Sequence, residues 1–189
     1  SHGGGVHLFE STLTAAGAVF FNYNTAAGDG GGLCLVSSAV ELRDGVSVSA
    51  NTAHVDGGGI FMQDSILTVL NSAIDYNAAM DTSGGLLALD SAIELRDSSS
   101  VSANTAMGEG GGLFVRTSAL TVLNSASVSA NTAGGCMSYA WADSAGGNCE
   151  AYDANPEWCG YEESMDKCCA CGGGQMTDSN GGGVYLFES

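Results

Sequence analysis

The chain predicts an all-β fold: a right-handed parallel β-helix with three strands per coil, about 27 residues per coil, and a disulfide-rich inserted mini-domain. Three observations predict it. Gly-Gly-Gly-aliphatic segments recur at glycines 3–5, 30–32, 57–59 and 110–112, with Ser83-Gly84-Gly85 and glycines 181–183 as further instances. Asparagines keep the same step, since Asn24, Asn51, Asn77, Asn104 and Asn131 lie 27, 26, 27 and 27 residues apart. Between 134 and 180 the beat stops and most of the cysteines appear. A unit this short cannot bury a core alone and must stack on its neighbours.

The second coil shows the strand pattern. Residues 33–36, 40–42 and 46–48 are short alternating runs separated by turn residues, a period of two rather than 3.6. Superposing the coils gives three apolar columns. They read Val6, Leu33, Ile60, Leu86, Leu113, Val184; Leu13, Val40, Leu67, Ile93, Leu120; and Phe21, Val48, Ile74, Val101, Val128. Strands that pair one coil apart should stack at roughly 4.8 Å. Parallel crossovers are almost always right-handed, which gives the expected hand.

The corners follow from the polar positions. Ser11, Ser38, Ser65, Ser91, Ser118 and Ser189 occupy one turn. Asn24, Asn51, Asn77, Asn104 and Asn131 occupy another, where a left-handed backbone is tolerated and stacked amides can bond along the axis as an Asn ladder. Glycines form the third, permitting positive φ and close backbone approach. A longer beat overlies this one: residues 40–44 nearly recur at 93–97 and 67–72 at 120–125, each 53 residues on. Duplication of coil pairs lengthens a rod.

Residues 1–133 are therefore five coils of β-helix, 134–180 a cysteine-rich insertion, and 181–189 the start of a further coil. The last nine residues copy 3–11 closely, and neither terminus carries a polar cap, so the chain is expected to be a segment of a longer protein. Six of seven cysteines, Cys136, Cys149, Cys159, Cys168, Cys169 and Cys171, fall in the insertion. Three disulfides in an oxidising, extracellular or cell-surface setting are the expected reading. Zinc held by Cys159, Cys168, Cys169 and Cys171 is the competing one, without the usual two-residue gaps. Cys34, predicted to point outward, is either a small hydrophobe or a partner for another part of the parent protein.

Net charge is −17, with only Arg43, Arg96, Arg116 and Lys167 positive, which argues against binding nucleic acid or anionic membrane. No apolar run is long enough for membrane insertion as a helix. The outward side of the first strand is unusually apolar through successive coils, and Phe61, Leu87, Leu89, Phe114, Tyr185 and Phe187 are the expected interaction surface for another chain or a covering segment. Outward serines on the third strand and the threonines beside them resemble ice-binding arrays, with Ala78 breaking the threonine row. Asp29, Asp56, Asp81 and Glu109 precede the glycine corner, where stacked carboxylates could hold calcium or simply keep the rod solvated. No other cofactor is expected. Arg43 and Arg96 fit Glu-x-Arg ion pairs with Glu41 and Glu94 and not a substrate clamp, and His2, His7 and His54 are scattered. No catalytic residue is assigned.

Gly-Gly-aliphatic alternating with Phe-x-x-Asn resembles the repeats of the polymorphic outer-membrane protein family, found in surface adhesins and autotransporters. Residues 21–24, Phe-Asn-Tyr-Asn, match the second motif; 48–51, 101–104 and 128–131 match with valine, and 74–77 with isoleucine. Gly58-Gly59-Ile60 and Gly111-Gly112-Leu113 approach the first, with glycine where the family prefers alanine. The resemblance covers 1–133 and the last nine residues, and implies a right-handed β-helix on an extracellular protein that adheres or self-associates. Its motifs carry over no catalytic residue. The insertion is similar to small cysteine modules of secreted algal and other protist proteins. Together these readings give a structural or adhesive rod segment, with homotypic assembly, other protein chains or glycans as partners. The alternative is a carbohydrate-active or carbohydrate-binding β-helix whose catalytic coils lie partly outside this segment.

Overall fold

A computed structural model describes residues 3–134 and 183–187, together with the strand bounds given below. All regular structure among them is β, wound as a parallel solenoid of about five coils. Each coil contributes one strand to each of four sheets. The first sheet stacks Val6–Phe9, Leu33–Val36, Ile60–Gln63, Leu86–Leu89, Leu113–Arg116 and Val184–Phe187 in that order. The second holds Thr12–Ala16, Ala39–Arg43, Ile66–Leu70, Ala92–Arg96 and Ala119–Val122; the third holds Phe20–Asn22, Ser47–Ser49, Ala73–Asp75, Ser100–Ser102 and Ser127–Ser129.

The fourth sheet corrects the expected three strands per coil. Thr25–Ala26, Thr52–Ala53, Ala78–Ala79, Thr105–Ala106 and Thr132–Ala133 pair in parallel in place of a plain turn. Two residues are too short to show an alternation in sequence. They pair because the asparagine just before each holds adjacent coils at bonding distance, as described below.

Register is continuous along the axis. Leu33 pairs with Ile60 and Ile60 with Leu86, and the second and third columns align in the same way. Leu33, Leu35, Leu42, Ile60, Met62, Leu67, Ile74, Leu86, Leu95 and Leu113 are fully buried in one core. Burying each such side chain stabilises the stack by about 1.5–3 kcal/mol. The fourth sheet adds an alanine column, Ala26, Ala53, Ala79 and Ala106, whose small size suits its short strands.

Left-handed residues sit at the corners, one place before the position expected. Tyr23, Ala50, Tyr76, Ala103 and Ala130, each preceding a ladder asparagine, have φ between 52° and 57°, and Glu10, Ser37, Asp64, Asp90 and Thr117 precede the corner serines with φ of 46° to 52°. The asparagines are therefore selected for their amides and not for backbone tolerance. Except for Gly134, the expected insertion at 134–180 with its six cysteines lies outside the described residues, as do Ser189 and the side chains of Tyr185 and Phe187.

Candidate functional site

The asparagine corner is bonded continuously from coil to coil. Nδ2 of Asn24 donates to Oδ1 of Asn51 at 2.9 Å, Asn51 to Asn77 at 2.9 Å, Asn77 to Asn104 at 3.0 Å, and Asn104 to Asn131 at 2.9 Å. Each receiving Oδ1 also accepts the backbone N–H of the asparagine one coil before it, at 2.9–3.0 Å. The second amide hydrogen goes to a third-sheet carbonyl: Asn51 to Phe21, Asn77 to Val48, Asn104 to Ile74 and Asn131 to Val101. Asn51, Asn77 and Asn104 thus use both donors and both acceptor sites while buried, the condition for a polar group to be stabilising inside a core.

A serine ladder runs at another corner, and sequence reasoning found its residues but not its bonding. Ser38, Ser65, Ser91 and Ser118 each accept the backbone N–H of the preceding coil's serine at 2.8–3.1 Å. Their hydroxyls, with that of Ser11, donate to the carbonyl two residues earlier at 2.6–2.8 Å. Recurrence of serine at this spacing was the available signal. A shallow, open depression of about 620 Å³ lies against this corner, lined by Glu10, Ser11, Ser38, Asp64 and Ile66 among others.

The outer side of the first sheet is only partly available. Phe61, Leu89 and Phe114 are half-buried, but Leu87 is 3% exposed and Cys34 1% exposed, so neither belongs to a contact surface. At Cys34 the glycine corner closes against the strand, since a β-carbon on Gly30 would lie 2.8 Å from Cβ of Cys34; one on Gly110 would lie 2.9 Å from Cβ of Phe114. This turn folds beside the second residue of each strand, and the larger Phe61 stands in register between Cys34 and Leu87. Burial pushes the Cys34 thiol up to about 11, with Asp29 adding to the effect. Tyr185 and Phe187 pair by backbone register with Phe114 and Arg116.

At the acidic corner, Oδ1 of Asp29 accepts the backbone N–H of Asp56 at 3.3 Å, and Oδ1 of Asp56 accepts that of Thr82 at 2.9 Å. Burial raises the Asp56 carboxyl to about 6; the Thr82 bond opposes the rise, while Asp81 and Asp29 add to it. Among the described residues, no three His, Cys, Asp or Glu side chains converge to hold a metal. Glu41 and Arg43 lie 4.0 Å apart and Glu94 and Arg96 3.5 Å apart, and Asp44 and Asp97 approach the same arginines at 3.7 and 3.9 Å. Both guanidinium groups are therefore committed to ion pairs.

The third-sheet hydroxyl face is interrupted by Phe20, Ala73 and Asp75, and Asp75 accepts from Ser102 at 2.8 Å. Beside it stand two side chains that sequence reasoning passed over. Tyr23 is 85% exposed and Tyr76 70% exposed, at equivalent corners two coils apart. Their signal was present in the 53-residue beat. Comparisons of this chain with protein-family models, curated proteins and solved structures find no match.

Proposed function

We propose that this chain is a structural and adhesive rod segment of an extracellular or cell-surface protein, and that it meets other chains side by side. The observation that carries this reading is the ladder system. Every coil is joined to the next by four sheets, an asparagine amide row and a serine hydroxyl row, so a load along the axis is shared by many parallel hydrogen bonds. Such bonds are worth roughly 0.5–1.5 kcal/mol each, and their cooperative arrangement favours stiffness over movement. The polymorphic outer-membrane-like repeat pattern supports the same reading. That pattern goes with a right-handed coil, and the six cysteines of 134–180 with a disulfide-closed insertion.

The contact row in this proposal is Phe61, Leu89 and Phe114, continued by Tyr185 and Phe187. Phe61 and Phe114, half-buried on the outer sheet face, lose their remaining water contact when a second surface covers them. A net charge of −17 opposes association of like chains at low ionic strength. Sedimentation of the full chain between about 0.05 and 1 M salt tests the idea, because the Debye length shrinks from roughly 14 to 3 Å over that range. Association that grows with salt and disappears in F61S/F114S supports it. A monomer at every salt concentration and protein concentration defeats it.

A further inference from the structure

Tyr23 and Tyr76 present a problem that stability does not solve. Both have φ of 57°, a conformation that bulky side chains rarely adopt, and both project into solvent and gain little burial. Coils two, four and five place Ala50, Ala103 and Ala130 at the same corner with φ of 52° to 54°, so a small residue satisfies the turn. A left-handed φ at this corner recurs in every coil, so what sets Tyr23 and Tyr76 apart is a large ring held in solvent where the turn needs only a small side chain.

The two rings share one axial row. Asn24, Asn51 and Asn77, the residues that follow each corner, are bonded in succession, which places Tyr23 and Tyr76 two coil steps apart with Ala50 between them. Two steps amount to roughly 9.6 Å at the ordinary inter-strand spacing. Polar columns flank the row. Asn22, Ser49 and Asp75 lie in register on one side, and Thr25 and Thr52 on the other. Phe20, 65% exposed at the start of its third-sheet strand, adds another aromatic group beside Tyr23.

We propose that this row binds a neutral, extended β-1,4-linked polysaccharide running along the solenoid axis. In such a chain every second sugar presents the same face, and its disaccharide repeat is close to two coil steps. Tyr23 and Tyr76 would each receive the apolar face of a pyranose ring. Ala50 leaves space for the intervening sugar, and the flanking hydroxyl, amide and carboxylate groups meet the ring-edge hydroxyls. An aromatic side chain is apolar on its face and, in tyrosine, polar at its tip, which suits a ligand of the same character. The net charge of −17 selects against anionic glycans. This surface is separate from the first-sheet row and does not depend on association there.

The test is retention of the full chain on microcrystalline cellulose and on chitin, with amylose as the helical α-linked control. Retention is expected on at least one β-linked polymer and not on amylose, and which one retains the chain identifies the sugar. Tyr23→Ala or Tyr76→Ala should each weaken it about tenfold, the scale of one aromatic contact. Both variants should fold, because alanine already occupies the equivalent corners, and an unchanged circular dichroism melt would check this. Spacing is tested by moving a ring. Y23A/A130Y restores two tyrosines two coils apart and should recover binding, whereas Y23A/A103Y puts them one coil apart and should not. No retention of the unmodified chain on either β-linked polymer, or equal retention by all variants, would overturn the proposal.

Discussion

Gly32 lies so close to the side chain of Asn51 that a β-carbon on the glycine would sit 2.9 Å from Nδ2, and 2.7 Å from the carbonyl oxygen of Gly59. The same crowding recurs between Gly5 and Asn24, Gly59 and Asn77, and Gly85 and Asn104, at 2.8–3.0 Å. Glycine at this place in the repeat makes room for the amide row, so the two most regular sequence features are one structural device. Gly32→Ala should cost about 1–3 kcal/mol by overpacking and displacement of the Asn51 amide. Urea denaturation of the two proteins measures the difference.

Within the amide row, the middle matters more than the end. Asn77→Ala removes the acceptor of two Asn51 donors and the donors to Asn104 and Val48, all of them buried or part-buried. A loss of about 2–4 kcal/mol is expected, since unpaired buried groups pay their full desolvation cost. Asn24→Ala, at a part-buried end, should lose less. Equal losses in thermal melts would show that the row does not act as a continuous unit.

Asp56 makes stability depend on pH in an unusual direction for a carboxylate. Its carboxyl rises to about 6 in the folded chain, above the ordinary 3.8. Between those values the folded state binds more protons than the unfolded state, so this carboxyl's contribution to stability is fully present below about pH 4 and is lost as pH climbs through 6. Asp56→Asn keeps the acceptor for the Thr82 N–H and removes the charge. At pH 7 it should stabilise the chain by on the order of 1 kcal/mol, because it removes the burial penalty and the weaker repulsion from Asp81 and Asp29, both moderated by partial exposure. Melts of both proteins at pH 4 and pH 7 should converge at the lower value.

Cys34 should be inert while the solenoid is folded. It is buried and its thiol is held protonated well above neutral pH, whereas reactivity requires an accessible thiolate. A thiol reagent at pH 8, followed by mass spectrometry of the peptide carrying Cys34, should find labelling only after denaturant is added. Cys34→Ala should be tolerated better than Cys34→Ser, which buries a hydroxyl that needs a partner.

Much of this architecture is written in the chain because the solenoid is local along its axis. Within residues 3–134 a residue's partner lies 26 or 27 positions away, so the columns through Leu33, Leu67 and Ile74 can be read by superposing the sequence on itself. The fourth sheet escaped that reading, as two residues carry no alternation. The left-handed corner was misplaced onto the asparagines for a related reason: a repeating polar residue in a turn can serve the backbone or the side chain, and spacing does not separate the two. Leu87 was misassigned because alternation tells which side of a strand a residue faces, and not what the neighbouring corner does there.

Repeat length, apolar columns and the positions of Asn51 and its counterparts were determined by sequence alone, because stacking identical units admits a single register for buried side chains. Tertiary structure decided which groups remain in water. Cys34 and Leu87 are buried on the outer side of their strands, while Tyr23 and Tyr76 stand clear of their corners. Exposure depends on how a turn packs beside its own strand and on the size of the residues one coil above and below, a three-dimensional relation that no single row of the repeat contains.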